Sequence, residues 1–170
     1  MSDMLGTGSG KILVADHSGV YVIKMQGDVR LTLCIPFDAF IEKILSRDGF
    51  YMVLFDLSDA ECLDSTTLGL IAKVAVNIQS RKHRKPLAII SDPSIERLFV
   101  SMGLDEVCDL IDQPSQDYCQ TDNFVNLDPA NQNDEEQIKT KVLESHCVLM
   151  GLNETNKETF RDLVQALKCG

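Results

Sequence analysis

The chain has 170 residues, of which 44% are hydrophobic and 25% are charged, a composition typical of one globular domain with an appendage. Its 16 Lys and Arg against 26 Asp and Glu give a net charge of −10. That charge argues against binding to the phosphate backbone of nucleic acids and against docking on an anionic membrane. No apolar run approaches the ~20 residues of a transmembrane helix, and residues 1–10 lack the features of a signal peptide.

Cysteine and histidine placement indicates neither disulfides nor a metal site. The six cysteines form no CxxC pair, so we interpret them as free thiols of a cytoplasmic protein. His17, His83 and His146 are single residues far apart in the sequence, which we interpret as surface or half-buried side chains that hold no metal. We find neither a glycine-rich phosphate loop nor a Ser-His-Asp arrangement, and therefore expect no cofactor and no enzymatic activity.

Between residues 11 and 112 the sequence alternates between strand and helix patterns. Residues 11–15 and 20–27 predict a β-hairpin. Pro36 opens a helical pattern, and residues 50–57 predict a buried strand followed by a polar loop over 58–64. The later elements are a helix from Asp64 to Lys85, a strand at 87–91, a helix from Pro93 and a strand at 107–111. The order ββαβαβαβ predicts an α/β fold with a mixed sheet and packed helices.

The flanking segments differ in composition. We expect residues 1–10 to form a flexible N-terminus, residues 113–133 a polar linker and residues 134–168 a helical hairpin. Asp134 caps the first helix, whose predicted inward residues are Ile138, Val142, Leu143 and Cys147 or Val148. Thr155 and Glu158 form a capping-box pattern for the second helix. Two short helices cannot bury their apolar faces alone, so the hairpin packs on the sheet domain, on a partner or on a second copy.

The most specific segment is Asp64-Ser65-Thr66-Thr67-Leu68-Gly69, which opens a predicted helix after a buried strand. A hydroxyl at a helix start lies near unpaired backbone N–H groups and the positive end of the helix dipole, so a phosphate there is tolerated. The phosphate would add about −1.5 to −2 charges to a patch that already holds Asp59 and Glu61. The alternative interpretation is that Ser65 or Thr66 only caps the helix.

Over residues 11–112 the chain resembles the STAS domains of anti-sigma factor antagonists. The resemblance is carried by Asp56-Leu57 at a strand end, the Asp64–Gly69 segment, Gly27-Asp28, Asp92-Pro93-Ser94-Ile95 and Met102-Gly103-Leu104. It implies a STAS fold, here with a C-terminal helical hairpin added. It also implies phosphorylation of Ser65, with Thr66 as a candidate second site. The partner-binding residues that it implies are Asp28, Arg30, Asp64, Leu68 and Gly69.

The resemblance implies a binding function and no catalysis. The unmodified chain would sequester an anti-sigma factor or a switch kinase, and phosphorylation of Ser65 by a serine kinase would release that partner. Arg30 stands where many members of the family have an acidic residue. Together with the C-terminal helices, this makes the chain similar to the HptB-pathway antagonist branch. That branch implies a phosphatase/kinase response regulator and a diguanylate cyclase as further partners.

Two other interpretations stay open at this point. A STAS-like domain can bind ligands or serve assembly without a phosphorylation switch, with a homo-oligomer formed through the C-terminal helices. Residues 12–16 and 53–57 also resemble a response-regulator receiver with Asp56 as phosphoacceptor. A receiver needs clustered carboxylates for magnesium, but Asp16 is followed by His17. We interpret the basic run 81–85 as a helix end near the negative pole of the dipole.

Overall fold

The structure, a computed structural model, describes residues 10–113, 123–128 and 134–169. Six strands form one mixed sheet in the order β5-β4-β3-β2-β1-β6. They are β1 (Lys11–His17), β2 (Val20–Val29), β3 (Met52–Leu63), β4 (Leu87–Ile89), β5 (Asp109–Ile111) and β6 (Val125–Asn126). Strand β1 runs antiparallel to β2 and β6, and the remaining neighbours are parallel. The predicted mixed sheet is confirmed.

The helices of the described residues pack mainly against one face of this sheet. They are α1 (Cys34–Leu45), α2 (Ser65–Lys82), α3 (Pro93–Ser101), α4 (Glu135–Met150) and α5 (Glu154–Cys169). Apolar residues from all five join the main core, in which Phe37, Phe55 and Phe99 are fully buried. The other sheet face has a smaller cluster around Val22 and Leu54. The predicted α/β class and C-terminal helical hairpin are confirmed.

A tight turn between β1 and β2 sets where β3 begins. Ser18 and Gly19 both have positive φ, 53° and 88°, as a two-residue hairpin turn requires. The Gly19 carbonyl accepts hydrogen bonds from the backbone N–H groups of Tyr51, at 2.9 Å, and Met52, at 3.3 Å. The turn therefore lies directly against the entry to β3 and fixes its position beside β2.

Strand β3 is longer than the sequence suggested. The prediction of a polar loop over 58–64 is wrong, because β2 also continues to Val29 and gives this segment a partner to pair with. Ala60 pairs with Gly27, and Leu63 with Val29, across two register shifts. Both Ala60 and Leu63 are buried, while the polar residues between them made the segment look like a loop.

Further boundaries differ from the predictions, since α2 ends at Lys82, β4 ends at Ile89 and β5 begins at Asp109. Helix α1 begins at Cys34 and not at Pro36, because a proline fits in the first turn, where its missing N–H breaks no helical hydrogen bond. Part of the expected linker 113–133 forms β6, and Leu127 N–H donates to the Ile12 carbonyl at 2.9 Å. The predicted flexible segment 1–9 and residues 114–122 and 129–133 lie outside the described residues.

The C-terminal hairpin packs on its own chain, with α4 lying along α2 and α1. Asp134 caps α4 by accepting from Gln137 N–H at 3.2 Å, as predicted. The buried residues of α4 are Ser145, His146 and Leu149, whereas Cys147 is exposed. The predicted inward stripe is correct in part, because Leu143 and Val148 pack against the core. The most buried positions differ from it, because α4 turns its small residue Ser145 toward a glycine on α2.

Asn153 and Asn156 hold the second helix of the hairpin in place. Asn153 Oδ1 accepts from Asn156 N–H at 2.8 Å, so the predicted capping box at Thr155 is wrong and the cap lies two residues earlier. The buried Asn156 side chain donates from Nδ2 to the carbonyls of Met102 and Leu149, both at 2.8 Å. These bonds join the start of α5 to the ends of α3 and α4.

An Asn156→Ala substitution should lower the free energy of unfolding by about 1–3 kcal/mol, because it removes the donor from two carbonyls in a buried site. Urea unfolding followed by circular dichroism measures this change. Thr159→Ala is the matched control, since Thr159 is exposed and donates only within its own helix. A loss no larger than that of the control would contradict the anchoring role of Asn156.

A buried carboxylate on α1 connects three helices. Asp38, only 3% exposed, accepts from Lys73 of α2 at 2.7 Å and from Lys141 of α4 at 2.8 Å. Burial raises the pKa of Asp38, but the hydrogen bonds from Lys141 and Lys73 lower it more, so the pKa of Asp38 lies below its ordinary value of 3.8. The ionised carboxyl therefore stabilises the contact of α4 with the sheet domain.

Asp38→Asn should cost roughly 1.5–3 kcal/mol of unfolding free energy near neutral pH, because two ammonium groups lose a charge-assisted hydrogen bond to a buried carboxylate. Since the folded pKa of Asp38 is lowered, its contribution is fully present above pH 3.8 and is lost as the pH falls through the folded pKa. The stability gap between wild type and variant should shrink over that range. Urea unfolding at several pH values tests this, with Glu42→Gln as control, because Glu42 pairs with Lys73 at an exposed position. An equal loss in both variants would contradict the prediction.

Candidate functional site

The site is built around the N-terminus of α2, where Asp64 caps the helix. One Asp64 carboxylate oxygen accepts from the Thr67 N–H at 2.9 Å and from its hydroxyl at 2.8 Å. The other accepts from the Leu31 N–H at 2.7 Å. The carboxylate therefore joins the first turn of α2 to the loop that follows β2. Asp64 lies where the sequence analysis placed it, directly before the candidate phosphoacceptor.

Ser65 is the first residue of α2 and is half-buried. Its neighbours Thr66 and Thr67 are 3% and 2% exposed, so these two hydroxyls lie beneath the surface. The Ser65 Oγ is 2.8 Å from Nε2 of His146 on α4. Of the three consecutive hydroxyl residues, Ser65 is the least buried, and its Oγ lies next to an imidazole.

His146 is held in a defined orientation. Its Nδ1 lies 2.6 Å from the Val142 carbonyl, and because a carbonyl only accepts, Nδ1 donates this hydrogen bond. In a neutral ring with its proton on Nδ1, Nε2 is the acceptor for the Ser65 hydroxyl. The ring is 2% exposed and packs edge-on against Phe160 of α5, with 4.9 Å between ring centroids.

The sequence prediction for His146, a surface or half-buried single residue, is wrong. Its contact with Ser65 spans 81 residues, and no motif in the sequence connects the two positions. The available signal was the helical spacing of His146 and Leu149, which share one face of α4. The sequence does not show which face of α4 contacts α2, so it could not show that this face is buried.

Leu68 and Gly69 lie beneath the surface of the site. Leu68 is fully buried in the core. A Cβ added to Gly69 would overlap the Ser145 carbonyl oxygen and lie 2.7 Å from the Ser145 Cβ, so the glycine permits close contact between α2 and α4. As α4 covers this turn, neither of the two predicted partner-binding residues presents a free side chain here.

Asp28 and Arg30 lie at the same end of the sheet as the start of α2. Arg30 Nε donates to both carboxylate oxygens of Asp28, at 2.8 and 2.9 Å, and this hydrogen bond lowers the pKa of Asp28. Between them, the Val29 carbonyl accepts from the Asp64 N–H at 3.4 Å. The structure thus brings Asp28, Arg30, Asp64 and Ser65 to one end of the molecule, with the Arg30 side chain largely exposed.

Asp56 does not have the surroundings of a receiver phosphoacceptor. It lies within β3, where its Oδ1 accepts from the Ser58 N–H at 3.1 Å and from the Ser58 hydroxyl at 2.5 Å. The antiparallel pairing of β1 with β2 also differs from the parallel sheet of flavodoxin-like receivers. The receiver interpretation is therefore wrong.

Two open grooves lie away from Ser65. One, of about 480 Å³, lies between α1 and α4 and is lined by residues that include Asp38 and Lys141. The other, of about 310 Å³, lies beside β1 and is lined by residues that include Tyr21 and Arg47.

Within the described ranges, no group of three or more His, Cys, Asp or Glu side chains could hold a metal ion. No helix in those ranges is long and apolar enough to cross a membrane.

Comparison with known proteins gives structural matches. No protein family matches the sequence, and no curated protein does. An anti-sigma factor antagonist from Mycobacterium paratuberculosis is 22% identical in sequence to this chain, with a TM-score of 0.53. The match covers 68% of this chain and 96% of that protein. The anti-sigma factor antagonist SpoIIAA in its unphosphorylated form is 14% identical, with a TM-score of 0.53 and coverages of 61% and 89%.

A third match is the Bacillus cell fate determinant SpoIIAA in its phosphorylated form, which is 14% identical. Its TM-score is 0.50, and the match covers 61% of this chain and 92% of that chain. These proteins are matched over nearly their whole lengths, and this chain extends beyond each of them. The chain therefore has the STAS fold of the anti-sigma factor antagonists.

Proposed function

We propose that this chain is a phosphorylation-switched binding module. With Ser65 unmodified it binds and sequesters an anti-sigma factor or a switch kinase, and phosphorylation of Ser65 weakens that complex. The observation that carries the proposal is the position of Ser65. It is half-buried and stands at the first residue of α2, after the capping Asp64. The fold around it is shared with a protein solved in both an unphosphorylated and a phosphorylated form.

The burial of the neighbouring hydroxyls supports Ser65 as the acceptor. Thr66 is 3% exposed, and a kinase could reach it only after the start of α2 had unfolded. Thr67 donates its hydroxyl to Asp64 at 2.8 Å and so takes part in the helix cap. We therefore assign the acceptor role to Ser65 and give Thr66 no separate role.

The charge around Ser65 explains how a phosphate would act on a partner. Asp64 lies next to Ser65, and Glu61 is exposed on β3, where Asp59 pairs with Lys24 at 3.2 Å. A phosphate adds about −1.5 to −2 charges to this acidic end of the molecule. A partner surface that fits the unmodified hydroxyl would then meet repulsion and a desolvation cost, so the modification acts on binding.

The proposed partners are an anti-sigma factor and a serine kinase. A phosphatase/kinase response regulator and a diguanylate cyclase belong to the proposal through the resemblance to the HptB-pathway branch. Arg30 supports a partner different from those of family members that have an acidic residue at this position. Its exposed guanidinium lies beside the Asp28 carboxylate, where a partner would dock. In this proposal Asp28, Arg30 and Asp64 supply the contact surface, and the chain performs no catalysis.

The alternative is a ligand-binding or assembly module without a switch. The assembly form of this alternative depends on the C-terminal helices. In the structure, however, Leu149, Phe160 and Val164 of that hairpin are buried in the chain's own core. The apolar face that would join two copies is therefore already covered, which favours the switch.

Phosphopeptide mapping of the chain isolated from its own cells in two growth states tests the switch. We expect a phosphate on Ser65 whose occupancy differs between the two states. Ser94 is an internal reference, because it is exposed and also follows a capping aspartate at a helix start. If Ser65 carried no phosphate in either growth state, the switch would be contradicted and the ligand-binding or assembly alternative would be favoured.

Ser65→Ala should keep the partner bound under conditions in which the wild-type chain releases it, namely with the kinase and ATP present. Pull-down from the same lysate, with and without ATP, measures this retention. Ser94→Ala is the control and should release the partner as the wild type does. If the Ser65→Ala chain also lost its partner with ATP, Ser65 would have no part in the mechanism.

A further inference from the structure

The C-terminal hairpin lies directly on the proposed phosphoacceptor. The Ser65 Oγ lies 2.8 Å from His146 Nε2, and one turn further along α2, Gly69 lies against the Ser145 backbone. The side of α2 that carries Ser65 is therefore in contact with α4. The solved antagonists are covered almost completely by this chain, yet they match only 61–68% of it, so much of this chain has no counterpart in them.

We propose that docking of the α4–α5 hairpin and phosphorylation of Ser65 exclude each other, so that the hairpin is a built-in cover for the unmodified serine. This inference rests on the proposed phosphorylation of Ser65. The docked hairpin limits access of a kinase or partner to the hydroxyl, and a phosphate on the hydroxyl releases the hairpin. The switch then changes the surface of the chain as well as its charge.

The 2.8 Å contact between the Ser65 Oγ and His146 Nε2 has no space for a phosphorus atom between the two atoms. Phosphorylation replaces the hydroxyl hydrogen by a phosphorus atom with three oxygens, so this contact cannot persist unchanged. Movement of the ring is opposed by Phe160, which packs against it at 4.9 Å between centroids. Rotation of the ring would break the 2.6 Å hydrogen bond from Nδ1 to the Val142 carbonyl.

Polarity opposes the phosphate as well. In the neutral ring with its proton on Nδ1, Nε2 is a hydrogen-bond acceptor, and phosphate oxygens are acceptors too. After phosphorylation, Nε2 would lose the hydroxyl donor that now satisfies it inside the protein. A buried acceptor without a donor is unfavourable by about the cost of a lost hydrogen bond. The docked position of α4 is therefore matched to a serine that still has its hydrogen.

The start of α4 is held less tightly than the rest of the hairpin. No residue from 134 to 144 is buried, and Lys141 is joined there to Asp38 by an ion pair. Beyond this stretch Ser145 and His146 contact α2, and Leu149, Phe160 and Val164 join the core. Elements with few buried contacts open at lower free energy than the core does. The Ser65–His146 contact lies directly after the less buried stretch of α4, where its loss can extend the opening into the hairpin.

Hydrogen–deuterium exchange of the full chain tests the exclusion without a kinase. Ser65→phosphoserine is made during synthesis at a reassigned stop codon, and intact mass confirms it. We expect amide exchange in residues 135–150 and 154–169 to rise roughly tenfold or more, the size of a typical coupling between two sites. Exchange in β3 and β4 should stay as in the unmodified chain.

Ser94→phosphoserine is the matched control, because it places the same group at the start of α3 after the capping Asp92, away from the hairpin contact made at Ser65. It should leave α4 and α5 protected. Equal exchange in the Ser65-modified and unmodified chains would overturn the proposal, and so would the same rise in both modified chains. Greater protection of α4 would also overturn it, since His146 would then have gained a proton and bound the phosphate.

Loss of protection throughout the sheet would overturn the proposal too, because the phosphate would then unfold the domain. None of these outcomes depends on whether cells phosphorylate Ser65, which the mapping experiment decides separately. The proposed function and the exclusion can therefore fail independently.

Discussion

The Asp64 carboxylate is the interaction on which the arrangement of the site depends. It satisfies two donors at the start of α2 and, with its second oxygen, the Leu31 N–H in the loop after β2. Helix caps of this kind typically contribute about 1 kcal/mol, but this cap also fixes position. It holds the first turn of α2 against the sheet end that carries Asp28 and Arg30, and Ser65 follows it directly in the chain.

Helix α2 has contacts on two sides. Its apolar residues, among them Leu68 and Ile71, are fully buried in the core, while Gly69 lies under α4. Lys73, one turn further, reaches the Asp38 carboxylate that also binds Lys141. The same helix therefore presents Ser65, supports the sheet and receives the hairpin. A change at one of these contacts is expected to affect the others through a single rigid element.

The architecture was largely predictable from the sequence because it follows from local patterns. Alternating strand and helix periods predicted the mixed sheet, and the Asp64–Gly69 segment predicted where α2 starts and which hydroxyl comes first. The continuation of β3 to Leu63 was not predictable, because a polar strand at a sheet end looks like a loop until its partner is known. Strand β6 has two residues, too few to show any period.

The part of the site contributed by α4 was the least accessible to sequence reasoning. His146 carried no motif, and its role depends on which face of α4 meets α2. That face is decided by the fit of Ser145 against Gly69, a steric match between residues far apart in the chain. Local propensity contains no information about such a match, whereas Asp134 could be predicted because a cap acts within its own helix.

The separation between Ser65 and His146 also sets an order in time. The ribosome must add 81 more residues after Ser65 before His146 exists. At roughly 5–20 residues per second this takes about 4–16 s. The central strands and α2 are complete well before then, since β5 ends at Ile111. Each newly made chain therefore passes through a period of seconds in which Ser65 has no imidazole beside it, and the hairpin is the last part of the site to be added.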